Sequence, residues 1–252
     1  MEILKQYRDN AAKAMKANAD KSQRCLFNVG RQIGTTTFLI NYAVDYFAKN
    51  NKTVVFHFCN EKYAVIYWDK IKDAFERRMP KQVVPRKTNF LFNTKDGLKT
   101  FVVSYGETNY DNKSRGMQYA TNIGLYVVDN ADFVNWDKTY EMVCALNPDV
   151  KCVVTSCPNI FNGKWTLFKK IFITKDPNWK TFAYGTPLLP KDVQLMKNSI
   201  SAISYDVEYN NYMGFFEPMI KLYKAIGNEM FNNKKLSQKL LFPERKIEMD
   251  FM

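Results

Sequence analysis

Cys25-Leu-Phe-Asn-Val-Gly-Arg-Gln-Ile-Gly-Thr-Thr-Thr-Phe38 runs from a short hydrophobic strand through a tight glycine turn into a Thr-rich helix start. That is the form of a phosphate-binding loop, in which backbone N–H groups and a helix N-terminus cradle the phosphates. A Lys then reaches the β/γ oxygens and a Ser or Thr holds Mg²⁺. Thr36 supplies the hydroxyl, but Thr35 stands where the lysine belongs. The cradle is kept and its ammonium is not.

Working outward, residues 2–17 place Ile3, Leu4, Tyr7, Ala11, Ala14 and Met15 at helical spacing, and a polar break at 18–22 precedes the strand Cys25–Val29. Thr36–Lys49 carries Phe38, Leu39, Tyr42, Ala43, Tyr46 and Phe47 on one helical face. Thr53–Cys59 is a β-branched and aromatic strand, and Glu61–Arg78 a helix through Ala64, Ile66, Tyr67, Ile71 and Phe75. Asn89–Phe92 and Thr100–Tyr105 flank Asp96-Gly97 as a hairpin. Gly124–Asp129 is a hydrophobic strand ending in an acid, 137–146 is helical, and Lys151–Ser156 is a further buried strand. Alternating strands and helices with continuously apolar strands predict an α/β fold, a mostly parallel sheet covered by helices on both faces. From about Asp176 the alternation fades into Trp179, Tyr184, Pro187 and Pro190, then helical patterns at 190–200, 202–212 and 217–231. The expected division is a core over 1–175 and a small helical subdomain and tail over 176–252.

The 252 residues, 46% hydrophobic and 15% aromatic, suffice for a substantial core. Lys plus Arg outnumber Asp plus Glu by 37 to 25, a formal +12 that favours an anionic partner, nucleic acid first. A lysine-rich solvated surface is the plainer reading of the same charge. With a single histidine, His57, neither a zinc site nor a Ser-His-Asp triad is expected, and His57 is read as a core or strand-end residue. Five cysteines without a CxxC pair read as reduced core thiols. The charged N-terminus is no signal peptide, and no window approaches an apolar membrane span, so an intracellular protein without a membrane partner is expected.

An ATP-hydrolysing site needs a phosphate loop, a strand-end acid for Mg²⁺, a group that activates water and a γ-phosphate sensor. Residues 30–37 (GRQIGTTT) supply the loop, with Gly30, Arg31, Gln32, Gly34, Thr35, Thr36 and Thr37 as nucleotide-binding candidates. LYVVDNADF (125–133) has the form of a Walker B strand with Asp129 at its tip, and CVVTSCPN (152–159) that of a polar sensor strand carrying Thr155 and Ser156.

In this ordered set the chain resembles the ATPase domain of the large terminase subunit of tailed bacteriophages, a DNA-packaging motor. Arg31-Gln32-Ile33-Gly34-Thr35-Thr36-Thr37 matches that family's Arg-Gln-x-Gly-Lys-Thr loop. Ser114-Arg115-Gly116 resembles its Arg-Gly element, and Thr155-Ser156-Cys157-Pro158-Asn159 its coupling motif. Gln6-Tyr7-Arg8-Asp9 is similar to the adenine-side Gln region, at a somewhat long spacing, and 205–214 to a Gln/Glu-Tyr segment beyond the core. The resemblance covers about residues 5–175. It implies a P-loop fold, ATP and Mg²⁺ as cofactors, with Thr36 and Asp129 as metal-side residues. Asp129, Asn130 and Arg115 then take the catalytic positions, Gln6 the nucleotide side, and Thr155, Ser156 and Asn159 the coupling positions. It also implies double-stranded DNA, portal, capsid or motor partners, assembly into homo-oligomers, and a place in the host cytoplasm.

Two departures bear on activity. The family's loop lysine corresponds to Thr35 and its catalytic glutamate to Asn130. Asn cannot accept a proton as a carboxylate does, and general-base help is worth about 100- to 10,000-fold. Losing the lysine removes a charge that meets transition-state negative charge. Arg31 could replace the lysine or merely brace the loop; Asp132 could act as the base or merely cap the next helix. Weak or absent hydrolysis is expected. No counterpart of the family's nuclease domain is expected in these residues, since some 75 after 176 are too few, and Asp206, Glu208 and Glu217 read as helix-face charges. DNA contact would be electrostatic, with Lys164, Lys169 and Lys170 as candidates. The alternative is a non-enzymatic scaffold or regulator that docks on a viral assembly, with aromatics between Trp179 and Phe216 as its surface. An active motor with unusual residues and a helicase remain as further readings, the last needing a second RecA-like domain.

Overall fold

The structure, a computed structural model, describes residues 2–30, 33–106, 122–158 and 166–185. Over these, the helices are α1 (Glu2–Lys21), α2 (Thr35–Lys49), α3 (Glu61–Arg78), α4 (Asp137–Leu146) and α5 (Leu167–Thr174). The strands are β1 (Arg24–Val29), β2 (Thr53–Phe58), β3 (Val83–Arg86), β4 (Leu91–Thr94), β5 (Thr100–Tyr105), β6 (Ile123–Val128), β7 (Lys151–Ser156) and β8 (Lys180–Tyr184). All join one sheet in the order β3-β4-β5-β2-β6-β7-β1-β8. From β5 to β8 every neighbouring pair is parallel, while β4 runs antiparallel to both β3 and β5. The hairpin expected around Asp96-Gly97 is the β4–β5 pair, with Gly97 at φ 71° in its turn.

Period-two alternation sends each parallel strand's side chains into two cores. Phe27, Val54, Phe56, Phe101, Val103, Leu125, Val127 and Val153 pack beneath α1, α2 and α3. Leu26, Val55, Val102, Tyr126, Val128, Cys152 and Val154 pack with Trp136, Val143, Phe168 and Ile171 from the segment around α4 and α5. Helices on both faces are what allow these strands to be apolar throughout. An aromatic cluster pins α3: Trp68 stacks on Phe92 at 4.2 Å between centroids, and Phe75 lies 5.2 Å from Phe101 and 5.3 Å from Phe47. Burying a side chain of this kind stabilises by about 1.5–3 kcal/mol, so the middle and end of α3 are firmly held.

The two edge strands depart from the sequence reading. β3 contains Pro85 and forms nonetheless, because it is the outermost strand, where a missing N–H costs no ladder bond. β8 extends the sheet past residue 175, pairing in parallel with β1 from Cys25↔Lys180 to Val29↔Tyr184. The expected boundary therefore falls inside the sheet-bearing unit, and the helical patterns from 190 onward lie outside the described residues. The five cysteines are free, with Cys25, Cys152 and Cys157 buried. No helix among the described residues is long and apolar enough to cross a membrane.

Candidate phosphate-binding site

The C-terminal ends of β1, β2, β6 and β7 converge on a cavity of about 610 Å³. One wall is the loop after β1 and the start of α2: Gly30, Gly34, Thr35, Thr36 and Thr37. Gly34 precedes α2 at φ 84°, a left-handed conformation that glycine adopts without Cβ strain. Phe38 N–H donates to Gly34 O, while no side chain caps the helix, so its first N–H groups remain for a ligand. Gly30 N–H donates to Tyr184 O (2.8 Å), so the last described strand fixes the loop's first residue.

Asp129 follows β6 at the cavity floor, 2% exposed, its backbone N–H donating to His57 O. Thr36 Oγ1 donates to Asp129 Oδ2 (2.8 Å) and Thr155 Oγ1 to Oδ1 (3.1 Å). Burial raises the carboxyl above its ordinary value, and the two hydroxyls and the Asn130 N–H pull it back. The loop threonine, strand-end acid and sensor threonine expected from sequence thus meet on one carboxylate. Asn130, beside it, has φ 57°, a left-handed conformation that Asn tolerates better than most residues. The backbone directly after the strand-end acid therefore suits asparagine, which sequence alone does not reveal.

The opposite wall was not foreseen. Cys59 and Asn60 follow β2, Tyr63 and Tyr67 rise from the first turns of α3, and Phe133 closes the rim. Asn60 caps α3 by accepting from Tyr63 N–H, and Tyr63 and Tyr67 stack at 6.2 Å. These residues belong to no motif; the available signal is an Asn before a helical run, followed by tyrosines at i+3 and i+7 on one face. The Cys59 thiol is pushed up to about 11 by burial, which makes it a poor nucleophile. Among the described residues lining the cavity none is Lys, Arg or His, and the one carboxylate is Asp129. No cluster of three or more metal-ligating His, Cys, Asp or Glu occurs among the described residues.

Two sequence expectations are corrected. Asp132 does not line the cavity: its carboxylate accepts from Thr166 Oγ1 and pairs with Lys169 Nζ (3.4 Å). It is neither a water-activating base nor the cap of α4, which follows Trp136. Lys169, a candidate DNA contact, is 1% exposed and neutralised by that acid, so it cannot reach a phosphate backbone. Its neighbour Lys170 is partly exposed. Gln6 lies on the exposed side of α1 and outside the cavity lining, although Tyr7 OH beside it donates to Gly185 O (2.6 Å). Arg31, Gln32, Arg115, Asn159 and Lys164 lie outside the described residues.

The fold is that of the ATPase domain of phage large terminases. The ATPase domain of the Thermus phage P74-26 large terminase superposes with a TM-score of 0.59 at 14% identity, over 75% of this chain and 88% of that one. The large terminase of a second thermophilic bacteriophage, solved in complex with ADP, gives 0.58 at 10% identity, over 77% and 49%. The HK97 bacteriophage large terminase gives 0.50 at 14% identity, over 87% and 46%. The chain thus spans about half the length of these last two proteins. No protein-family model matches the sequence, and no curated protein matches it.

Proposed function

We propose that this chain, with its terminase-type fold, is a viral DNA-packaging protein that binds Mg·ATP in the cavity over β1, β6 and β7 and hydrolyses it weakly or not at all. The observation that carries the reading is the intact triad of Thr36, Asp129 and Thr155 beside a loop lacking its lysine and a left-handed Asn130 in place of the glutamate. The thermophilic phage terminase solved with ADP has also been solved with ATP-gamma-S, which supports a nucleotide as ligand of this fold.

The oxygen-only pair of Thr36 and Asp129 suits Mg²⁺, a hard cation held by one or two carboxylates together with substrate phosphates and water. Bound there, the ion would offset phosphate charge. The residues do the rest of the holding: the uncapped start of α2 presents N–H groups to the phosphates, and Thr155 keeps the Asp129 carboxylate oriented. Asn130 can hydrogen-bond a water and cannot take its proton. With a net charge of +12, the protein is read as contacting DNA through phosphates, in the host cytoplasm, beside portal, capsid or motor proteins and further copies of itself.

The test is titration of the full chain with labelled ATP and Mg²⁺, alongside steady-state phosphate release. Saturable Mg²⁺-dependent binding with negligible release is expected. Thr35→Lys should tighten binding, because a cation about 4 Å from a phosphate charge is worth up to about 4 kcal/mol at an effective dielectric near 20. No binding at millimolar nucleotide would favour a docking scaffold, and steady release abolished by Asp129→Ala an active motor. DNA binding should weaken steeply with salt, its log–log slope about −0.9 per neutralised phosphate.

A further inference from the structure

Beside the cavity, a chain of buried polar contacts leads from the strand ends to α5. Thr155 Oγ1 donates to Asp129, and one residue along β7, Ser156 Oγ accepts the N–H of Asp132 (3.0 Å) and donates to Cys157 O (2.8 Å). The Ser156 rung fastens the 3₁₀ turn Ala131–Phe133 to the end of β7, beside the Thr155 rung to Asp129. The Asp132 side chain then holds α5 at two points, through Thr166 Oγ1 and Lys169 Nζ. Thr166 is also the N-cap of α5, accepting from Lys169 N–H (3.3 Å).

An ion pair with 1% and 0% side-chain exposure carries a heavy desolvation cost, and apolar residues of similar volume often serve stability as well or better. What such a pair supplies is a fixed register between the elements it joins. Here these are the turn after Asn130 and the first turn of α5. Asn130, Ser156 and Cys157 all line the cavity, so a ligand that shifts them shifts the rung to Asp132. From α5 the chain continues through the buried Trp179 into β8, whose Tyr184 O receives the Gly30 N–H of the phosphate loop. The path leaves the cavity floor and returns to the phosphate-loop wall.

We infer that Asp132 is a positioning residue that couples occupancy of the phosphate cavity to the seating of α5, with Thr166 and Lys169 as the receiving groups. The inference rests on the nucleotide reading above and adds how occupancy leaves the site.

The experiment is hydrogen exchange of the 167–174 amides in the full chain, with and without Mg·ATP, beside a direct measurement of ATP affinity. In the unaltered protein, ATP should change the α5 exchange rates by about threefold or more. In the Asp132→Asn/Lys169→Met double variant, which removes both charges together, ATP affinity should stay within about threefold while the α5 response disappears. Thr166→Gly, a tolerated cap that lacks the hydroxyl, should reduce the response and supplies the test if the double variant does not fold. An α5 response that persists in these variants, or ATP binding to the unaltered chain with no α5 response, overturns the coupling alone. Absence of ATP binding to the unaltered chain overturns the nucleotide reading and the coupling with it.

Discussion

Acid should weaken this fold through one imidazole. His57 lies in β2, fully buried, with Nε2 3.1 Å from Gly106 O, so that nitrogen is assigned the proton, and Nδ1 has no hydrogen-bond partner among the described residues. Burial pushes its pKa down to about 4 from the ordinary 6.5, with the Gly106 contact opposing only part of the fall. Between those values the unfolded chain binds one more proton than the folded one, so stability is full above about pH 6.5 and is lost as pH falls toward 4. At 1.36 kcal/mol per pKa unit, that loss reaches about 2.5 kcal/mol by pH 4.5, a large share of an ordinary domain's margin. Asp129 acts in the opposite sense: its carboxyl is raised, so its burial penalty eases as pH falls through its folded value. Comparing urea unfolding at pH 7 and pH 4.5 for the protein and for His57→Gln isolates the imidazole, since the Asp129 contribution is common to both. The variant should lose about 2.5 kcal/mol less on acidification. As the chain has a single histidine, its imidazole NMR signal is also assigned without ambiguity. Equal losses in the two proteins, or an NMR midpoint near 6.5, would refute the reasoning.

Asp129→Asn removes a buried carboxylate whose ionised form is disfavoured, so urea midpoints at neutral pH should hold or rise while Mg²⁺-dependent ATP binding is lost. Asn130→Glu places a non-glycine, non-asparagine residue at φ 57°, costing about 1–2 kcal/mol in thermal or urea unfolding. It should therefore restore phosphate release only in combination with Thr35→Lys. Gly124→Ala would bring a methyl to 2.5 Å from Lys52 Cβ and 2.7 Å from Tyr46 OH, which itself donates to Gly124 O. That overpacking should cost about 1–3 kcal/mol, read as a lower urea midpoint at unchanged slope.

The architecture was legible wherever burial is two-sided. Val54, Val55 and Phe56, or Val127 and Val128, face helices on both sides, so their strands are continuous apolar runs, and α3 and α4 take the spans their patterns predict. It was illegible at the edges. β3 carries a proline that argues against a strand, and β8, Lys-Thr-Phe-Ala-Tyr, is half polar because it has one neighbour and partial exposure. In the candidate site, Thr36, Asp129 and Thr155 could be placed because each belongs to a motif of ordered spacing. Tyr63, Tyr67 and Phe133 could not, since they enter the cavity only through the docking of α3 and the turn after β6. Lys169 was misread for a related reason: a lysine's default is solvent, and only the tertiary fold brings Asp132 to it.

The pairing of β8 with β1 has a consequence in time. The first described strand is enclosed by the last described one, across more than 150 positions of chain, and the Tyr184 O that fixes Gly30 arrives with that last strand. Until residue 184 emerges, β1 has an unpaired edge and the phosphate loop has no anchor at its first glycine. Nascent chains stalled before that point should therefore carry most of the sheet and no completed cradle. Completion of the cradle would then be one late event, set by the arrival of residue 184.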